Sequence, residues 1–341
     1  MPTTDCICTR RHPLVASSLA FVAFVAATLG AALGVQAREP AIGGCPVFPA
    51  DNIWNTRVDD LPVHRRSDAY VASIGAKASL KPDFGAGLYE GAPIGIPFAI
   101  VPAGQPAVAI HYKPFGDETE AYPDESDPGP FPIPADAPIE GGAQATGDRH
   151  VLVVQQGSCT LIELYKAVAN ADGSWSAMAS VRFDLRTNRL RPDGWTSADA
   201  AGLPIFPGLV RYDEVAAGEI GHALRFTAAK TSRAYLWPAR HFAARSEDDR
   251  LPPMGLRMRL KADVDISRFS KSNQVILQAL KTYGMILADN GSPWFVSGAP
   301  DDAWNNDELN DEWRRLKGSD FEAVDVSSLM VGANSGQAKA P

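Results

Sequence analysis

Apolar residues in the middle of this chain come in short, interrupted runs that fit strands better than helices. Residues 150–154 (HVLVV) are apolar on both faces, as a central strand would be, while 256–260 (LRMRL) and 222–226 (HALRF) alternate. A period of two puts successive side chains on opposite faces of a sheet, so such alternation marks one face turned to a core. Further strands are expected at 94–101, 107–112, 160–165, 180–185 and 234–237. Segments 285–288 and 294–297 flank Asp289-Asn290-Gly291-Ser292, whose Asn-Gly pair favours a hairpin turn. The 29 glycines and 27 prolines suit many short elements separated by turns. Helices are expected at 67–74, 272–283 and 307–316, the last opening on acids and closing on bases, as the helix dipole prefers. The expected fold is mainly β, a β-sandwich or jelly-roll-like single domain with a few peripheral helices.

The amino terminus carries a different signal. Arg10 and Arg11 precede an uncharged apolar run over residues 14–35, which ends in Val35-Gln36-Ala37. That is the layout of a secretory signal peptide over residues 1–37. The run is also about as long as a membrane span, roughly 20 residues, so an uncleaved anchor is the competing reading, and membrane contact follows only in that case. Export, secreted or periplasmic, leaves Cys45 and Cys159 as an even pair in an oxidising compartment, where a disulfide is expected. Residues 38–44 read as a linker, 45–327 as one β-rich domain, and the small, polar 328–341 as a disordered tail. The net charge of −8, with no Lys/Arg tract, argues against nucleic acid as a partner.

The sequence contains no G-x-S-x-G, H-E-x-x-H, phosphate-binding glycine loop or dinucleotide fingerprint. Three constellations remain. Residues 117–127 hold six carboxylates, among them Asp124 and Asp127, and oxygen ligands of this kind suit a hard cation such as calcium. The competing reading is a solvated acidic loop, which charge runs usually are, and the spacing of a calcium loop is absent. Glu140, followed by Asp148-Arg149-His150, would bring two carboxylates and a histidine to the mouth of a central strand. Finally, Trp195, Asp199, Arg211, Asp213, His222, Trp237, Arg240 and His241 fall within 47 residues, a mixture of aromatics, acids and bases suited to a sugar. In that setting Asp199, Glu140, Asp213, His222 and His241 are the catalytic candidates. Trp195, Arg211, Trp237 and Arg240 are candidates for holding substrate. Burial in the core competes for both tryptophans and for His222.

The stretches GWTSADAAGLPIFPGLVRYDEV (194–215), WPARHF (237–242), PPMGLRMRLK (252–261) and YGMILADNGSPWFVSGAPD (283–301) resemble an unassigned group of secreted microbial proteins. Those proteins also carry Asn52-Ile53-Trp54-Asn55 and Gly147-Asp148-Arg149-His150. The resemblance implies a single secreted domain and transfers no catalytic residue. The functional expectation is a secreted carbohydrate-active enzyme, a polysaccharide hydrolase or lyase, whose partner is a polysaccharide or oligosaccharide. A non-catalytic secreted carbohydrate-binding or envelope-associated domain is the alternative.

Overall fold

A computed structural model describes residues 39–339. The expected leader therefore lies outside the described residues, which pack as one compact unit. The described residues are mainly β, 26% strand and 15% helix. From edge to edge, the larger sheet consists of Phe321–Val324, Arg257–Leu260, Met285–Asn290, Leu224–Ala228, Phe295–Ser297 and Lys81–Asp83. A four-stranded sheet runs Ala179–Asp184, Thr160–Tyr165, Val151–Gln155, Phe98–Val101. Both sheets are mixed, with parallel pairs at Leu224–Ala228 with Met285–Asn290 and at Phe98–Val101 with Val151–Gln155.

The HVLVV run is explained by burial on both faces. Leu152 and Val154 point into a large core shared with Leu224, Phe226 and Met285 of the six-stranded sheet. Val151 and Val153 point the other way, into a second core with Ile133, Phe131 and Trp175. A strand covered on both faces loses the apolar–polar alternation of a half-exposed one. Each such side chain contributes about 1.5–3 kcal/mol on burial. Truncating Leu152 to alanine would cost about 2–5 kcal/mol with the cavity left behind.

Three helices lie near the expected positions and close the outside of the larger sheet. Ser67–Ile74 buries Tyr70, Val71 and Ile74, and its Ser67 hydroxyl accepts the amide of Ala323 from the adjacent strand. Lys271–Thr282 starts at Ser270, whose side chain accepts the Asn273 amide, and buries Ile276, Leu277 and Leu280. Asn306–Trp313 is capped in the same way by Asn305. A fourth helix, Tyr212–Ala217, is too short to have shown a helical period and ends at left-handed Gly218.

Several local expectations are corrected. Met285–Asn290 and Phe295–Ser297 do not form a hairpin, because Leu224–Ala228 lies between them. The intervening Gly291 and Trp294 amides instead donate to Ala228 and Thr227 of that strand. Residues 234–237 form no strand; Tyr235 makes only an isolated bridge to Met254. The supposed tail, residues 328–341, is part of the fold through residue 339. Asn52 pairs with Gln337, the Trp237 indole donates to the Ser335 carbonyl at 2.8 Å, and Ala338 is buried. Its polar residues serve as backbone partners, which composition does not reveal. The linker is likewise structured, since Ala41–Ile42 pairs with Cys45–Pro46. Cys45 and Cys159 form a disulfide between buried cysteines 114 residues apart. No helix among the described residues is long and apolar enough to cross a membrane.

Candidate functional site

A buried charge cluster lies against the larger sheet. At its centre is Arg225, on the Leu224–Ala228 strand. Its Nε and Nη2 donate to the two oxygens of Asp199 at 2.7 and 2.8 Å, and its Nη1 donates to Ser297 Oγ at 2.5 Å. Asp199 is fully buried. A planar fork on a carboxylate is the strong form of an ion pair, and here it neutralises two charges that could not be buried singly.

A local irregularity brings a second carboxylate to the same guanidinium. Arg225 is registered with Ile286 and Phe226 with Leu287, but Thr227 is registered with Asp289. The bulge skips Ala288, so Asp289 lies on the face that carries Arg225 and Thr227 rather than on the opposite one. Its Oδ2 stands 3.6 Å from Arg225 Nη2, and the side chain keeps 22% of its surface exposed. Burial, reinforced by the charge of Asp199, pushes the Asp289 carboxyl up to about 7. Asp289 thus holds a proton near neutrality.

Asp289 lines a cavity of about 290 Å³ together with Tyr122, Glu125, Asp148, Thr196 and His241. Asp148 is 53% exposed, and its negative charge also raises Asp289. His241 Nδ1 is 2.9 Å from the Ala200 carbonyl. A carbonyl only accepts, so that nitrogen carries the proton, and in the neutral ring the lone pair sits on Nε2. The cavity therefore combines a proton donor, an exposed carboxylate and an imidazole acceptor.

Glu140 and His150 form the adjoining pair, at 2.6 Å, and the other ring nitrogen of His150 is 2.9 Å from the Ala198 carbonyl. Both partners accept, so both ring nitrogens donate and the ring is an imidazolium. Burial alone would lower its pKa, but the Glu140 charge and hydrogen bond raise it to about 9. Burial raises the Glu140 carboxyl, but the charge and the two hydrogen bonds of His150, with the charge of Arg225, together outweigh it and leave the carboxyl below its ordinary value. This pair stores charge and is poorly suited to act as a base.

The structure brings together Asp199, His241 and, beside them, Glu140. The other predicted residues are placed elsewhere. His222 is fully buried, donating to Glu214 Oε2 at 3.0 Å and to the Ala223 carbonyl at 2.8 Å. Arg211, also buried, pairs with Asp213 at 3.2 Å and Glu214 at 2.8 Å, so Asp213 is a surface counter-ion. Arg240 holds the carbonyls of Arg191 and Ala333 and the side chain of Asn334, tying down the carboxy-terminal segment. Trp195 lies under the Arg191 guanidinium and Trp237 packs on the core. Neither tryptophan lines the Asp289 cavity. The calcium expectation is not met: Asp124 is exposed on a short 3-10 turn, and Asp127 accepts from Arg191 at 2.8 Å and from the Arg182 amide at 3.0 Å. Among the described residues no three or more His, Cys, Asp or Glu side chains are grouped to hold a metal.

Sequence reasoning missed Arg225 and the role of Asp289. Arg225 alternates with Leu224 and Phe226 and reads as the solvent side of a strand, while Asp289 reads as a turn residue. The signal available was an arginine on a strand whose every residue is buried, and that needs the structure. No protein-family model matches the chain, and no curated protein or solved structure is similar to it.

Proposed function

We propose that the chain is an exported glycan hydrolase in which Asp289 is the general acid. The observation that carries this reading is the bulge-aimed Asp289 at the base of a polar cavity, protonated near neutrality beside an exposed carboxylate. In the proposed reaction water attacks the anomeric carbon and its proton passes to the Asp148 carboxylate. The C–O bond to the leaving sugar breaks, and the leaving oxygen takes the Asp289 proton. Glycoside hydrolysis requires opposed roles for two carboxyl groups, one to donate a proton and one to accept it. His241 Nε2 is left to accept a sugar hydroxyl. The disulfide and the leader-like amino terminus support an extracellular setting.

A lyase acting on uronates is less well supported. Such an enzyme needs a cation to neutralise the substrate carboxylate; no Lys or Arg is in the lining of this cavity, and the nearby Lys166 is already paired with Asp148 and Glu118. Arg211 and Arg240 are both committed elsewhere. The test is to incubate the protein with a polysaccharide panel, measuring new reducing ends and the absorbance of unsaturated uronates. Reducing ends without that absorbance, abolished by Asp289→Asn, is the expected result. Binding without turnover across the panel would favour the non-catalytic module instead.

A further inference from the structure

A second cavity, of about 500 Å³, adjoins the Asp289 cavity, and Asp148 lines both. Its wall includes Glu140, Asp83 and a small hairpin, Leu88–Tyr89 paired with Ala92–Pro93. Leu88 and Tyr89 are each 68% exposed, more than any other large apolar residue among those described. Tyr89 itself lines the cavity. An aromatic ring presented to solvent beside carboxylates that accept hydroxyl hydrogens has the two contacts a pyranose uses, a C–H face and a hydroxyl edge.

Charge narrows the ligand further. The two cavities are lined by Asp83, Glu90, Glu125, Glu140, Asp148 and Asp289, and neither lining contains a Lys or Arg. Arg225 and His150 lie buried beneath, already bonded to Asp199 and Glu140. Asp289 holds a proton, Glu140 is matched by His150, and Asp148 pairs with Lys166 at 3.8 Å, yet Asp83, Glu90 and Glu125 leave the linings with more carboxylates than cations. That excess opposes a polyanion and does not oppose a neutral or amine-bearing chain.

From these features we infer that the two cavities are one extended cleft for a linear glycan without negative charge, with Tyr89 the platform for a sugar unit beyond the bond broken at Asp148 and Asp289. This rests on the hydrolase reading and specifies its substrate. It implies cleavage within chains, because Asp148 lines both cavities.

The experiment uses oligomers of glucose, of glucosamine and of galacturonic acid, each two and six units long. Turnover is measured with the parent protein and with Tyr89→Ala, and binding with Asp289→Asn by calorimetry. The expected result is that a glucose or glucosamine hexamer is preferred over its dimer, and that Tyr89→Ala lowers kcat/KM roughly three- to tenfold on the hexamer only, the range for one lost aromatic contact. Because Tyr89 is exposed, the variant retains the fold, which its circular dichroism and Tm check. Equal use of dimer and hexamer, untouched by Tyr89→Ala, would overturn the extended cleft and leave the hydrolase reading standing. Preference for the galacturonic acid hexamer would overturn the charge selection. Neither binding nor turnover of any oligomer would remove the hydrolase reading and this inference with it.

Discussion

Asp289 reaches Arg225 at 3.6 Å through the same nitrogen that Asp199 already holds at 2.8 Å, and only Asp199 forms the two-pronged pair. The asymmetry matters because two carboxylates near one cation cannot both be fully compensated. Asp199 takes the neutralisation, and Asp289, desolvated and facing its charge, keeps a proton to about 7. A general acid must be protonated, so turnover is expected to fall as pH rises through about 7. Asp289→Asn should lower kcat by 10²–10⁴-fold, the usual contribution of general acid catalysis. A pH–rate profile of the parent protein, with the variant as control, checks both. An Asp289→Asn protein retaining most of its activity would remove the residue from the mechanism.

Asp199 should act on that profile at a distance. Asp199→Asn removes a charge that raises Asp289, so the alkaline limb is expected to move to lower pH. It also leaves Arg225 buried with a weaker partner, and breaking a buried pair from one side costs about 3–5 kcal/mol. Urea unfolding at pH 7 measures the second effect. If the limb stayed in place in a folded variant, Asp199 would be structural only.

These roles mark where the sequence could be read and where it could not. Strand positions were legible because they depend on local periodicity, and HVLVV was read correctly as covered on both faces. Asp199 and His241 were legible as candidates because acids, aromatics and bases crowd their segment. His222 and Arg211 belong to the same crowd yet pair with Glu214 of the short helix Tyr212–Ala217 in the interior, a tertiary contact that residue types along the chain do not announce. Asp289 was hidden by the bulge. A one-residue register shift reverses the facing of a side chain, and nothing local in MILADN announces it.

The Cys45–Cys159 bond joins the amino-terminal hairpin to the end of the turn between two central strands, 114 residues apart. Loops of that length give about 4–5 kcal/mol in the chain-entropy model, and loss of a native bond commonly costs 2–5 kcal/mol. The Cys45→Ser, Cys159→Ser double variant is expected to unfold at correspondingly lower urea than the parent, and reduction of the parent should match it. A midpoint unchanged by either treatment would show that the bond does not constrain the unfolded chain.

His150 makes the fold sensitive to alkali. Its folded value, about 9, lies above the ordinary 6.5. The pair with Glu140 therefore contributes fully below about pH 6.5, and its contribution is lost as pH rises through about 9. The shift corresponds to about 3 kcal/mol. Stability measured between pH 6 and 10 should fall for the parent, and the fall should be shallower in His150→Gln. Parallel curves for the two proteins would rule out His150 as the cause.

Glu163 adds a second slope, at lower pH. It is fully buried on the strand face toward the larger core and accepts from the amides of Ile205 and Phe206 at 2.9–3.0 Å. No cation is bonded to it, and burial outweighs the two amides to raise its carboxyl to about 7 from an ordinary 4.5. A raised carboxyl favours the folded state while it keeps its proton. Its contribution is complete below about pH 4.5, declines above that, and is gone once pH has passed about 7, a change of about 3 kcal/mol. Glu163→Gln retains an oxygen for the amides and has no charge to bury. The variant is expected to match the parent near pH 4.5 and exceed its stability at pH 8, as read from urea midpoints at the two pH values. A variant no more stable than the parent at pH 8 would mean that the two amides hold the ionised carboxylate without penalty.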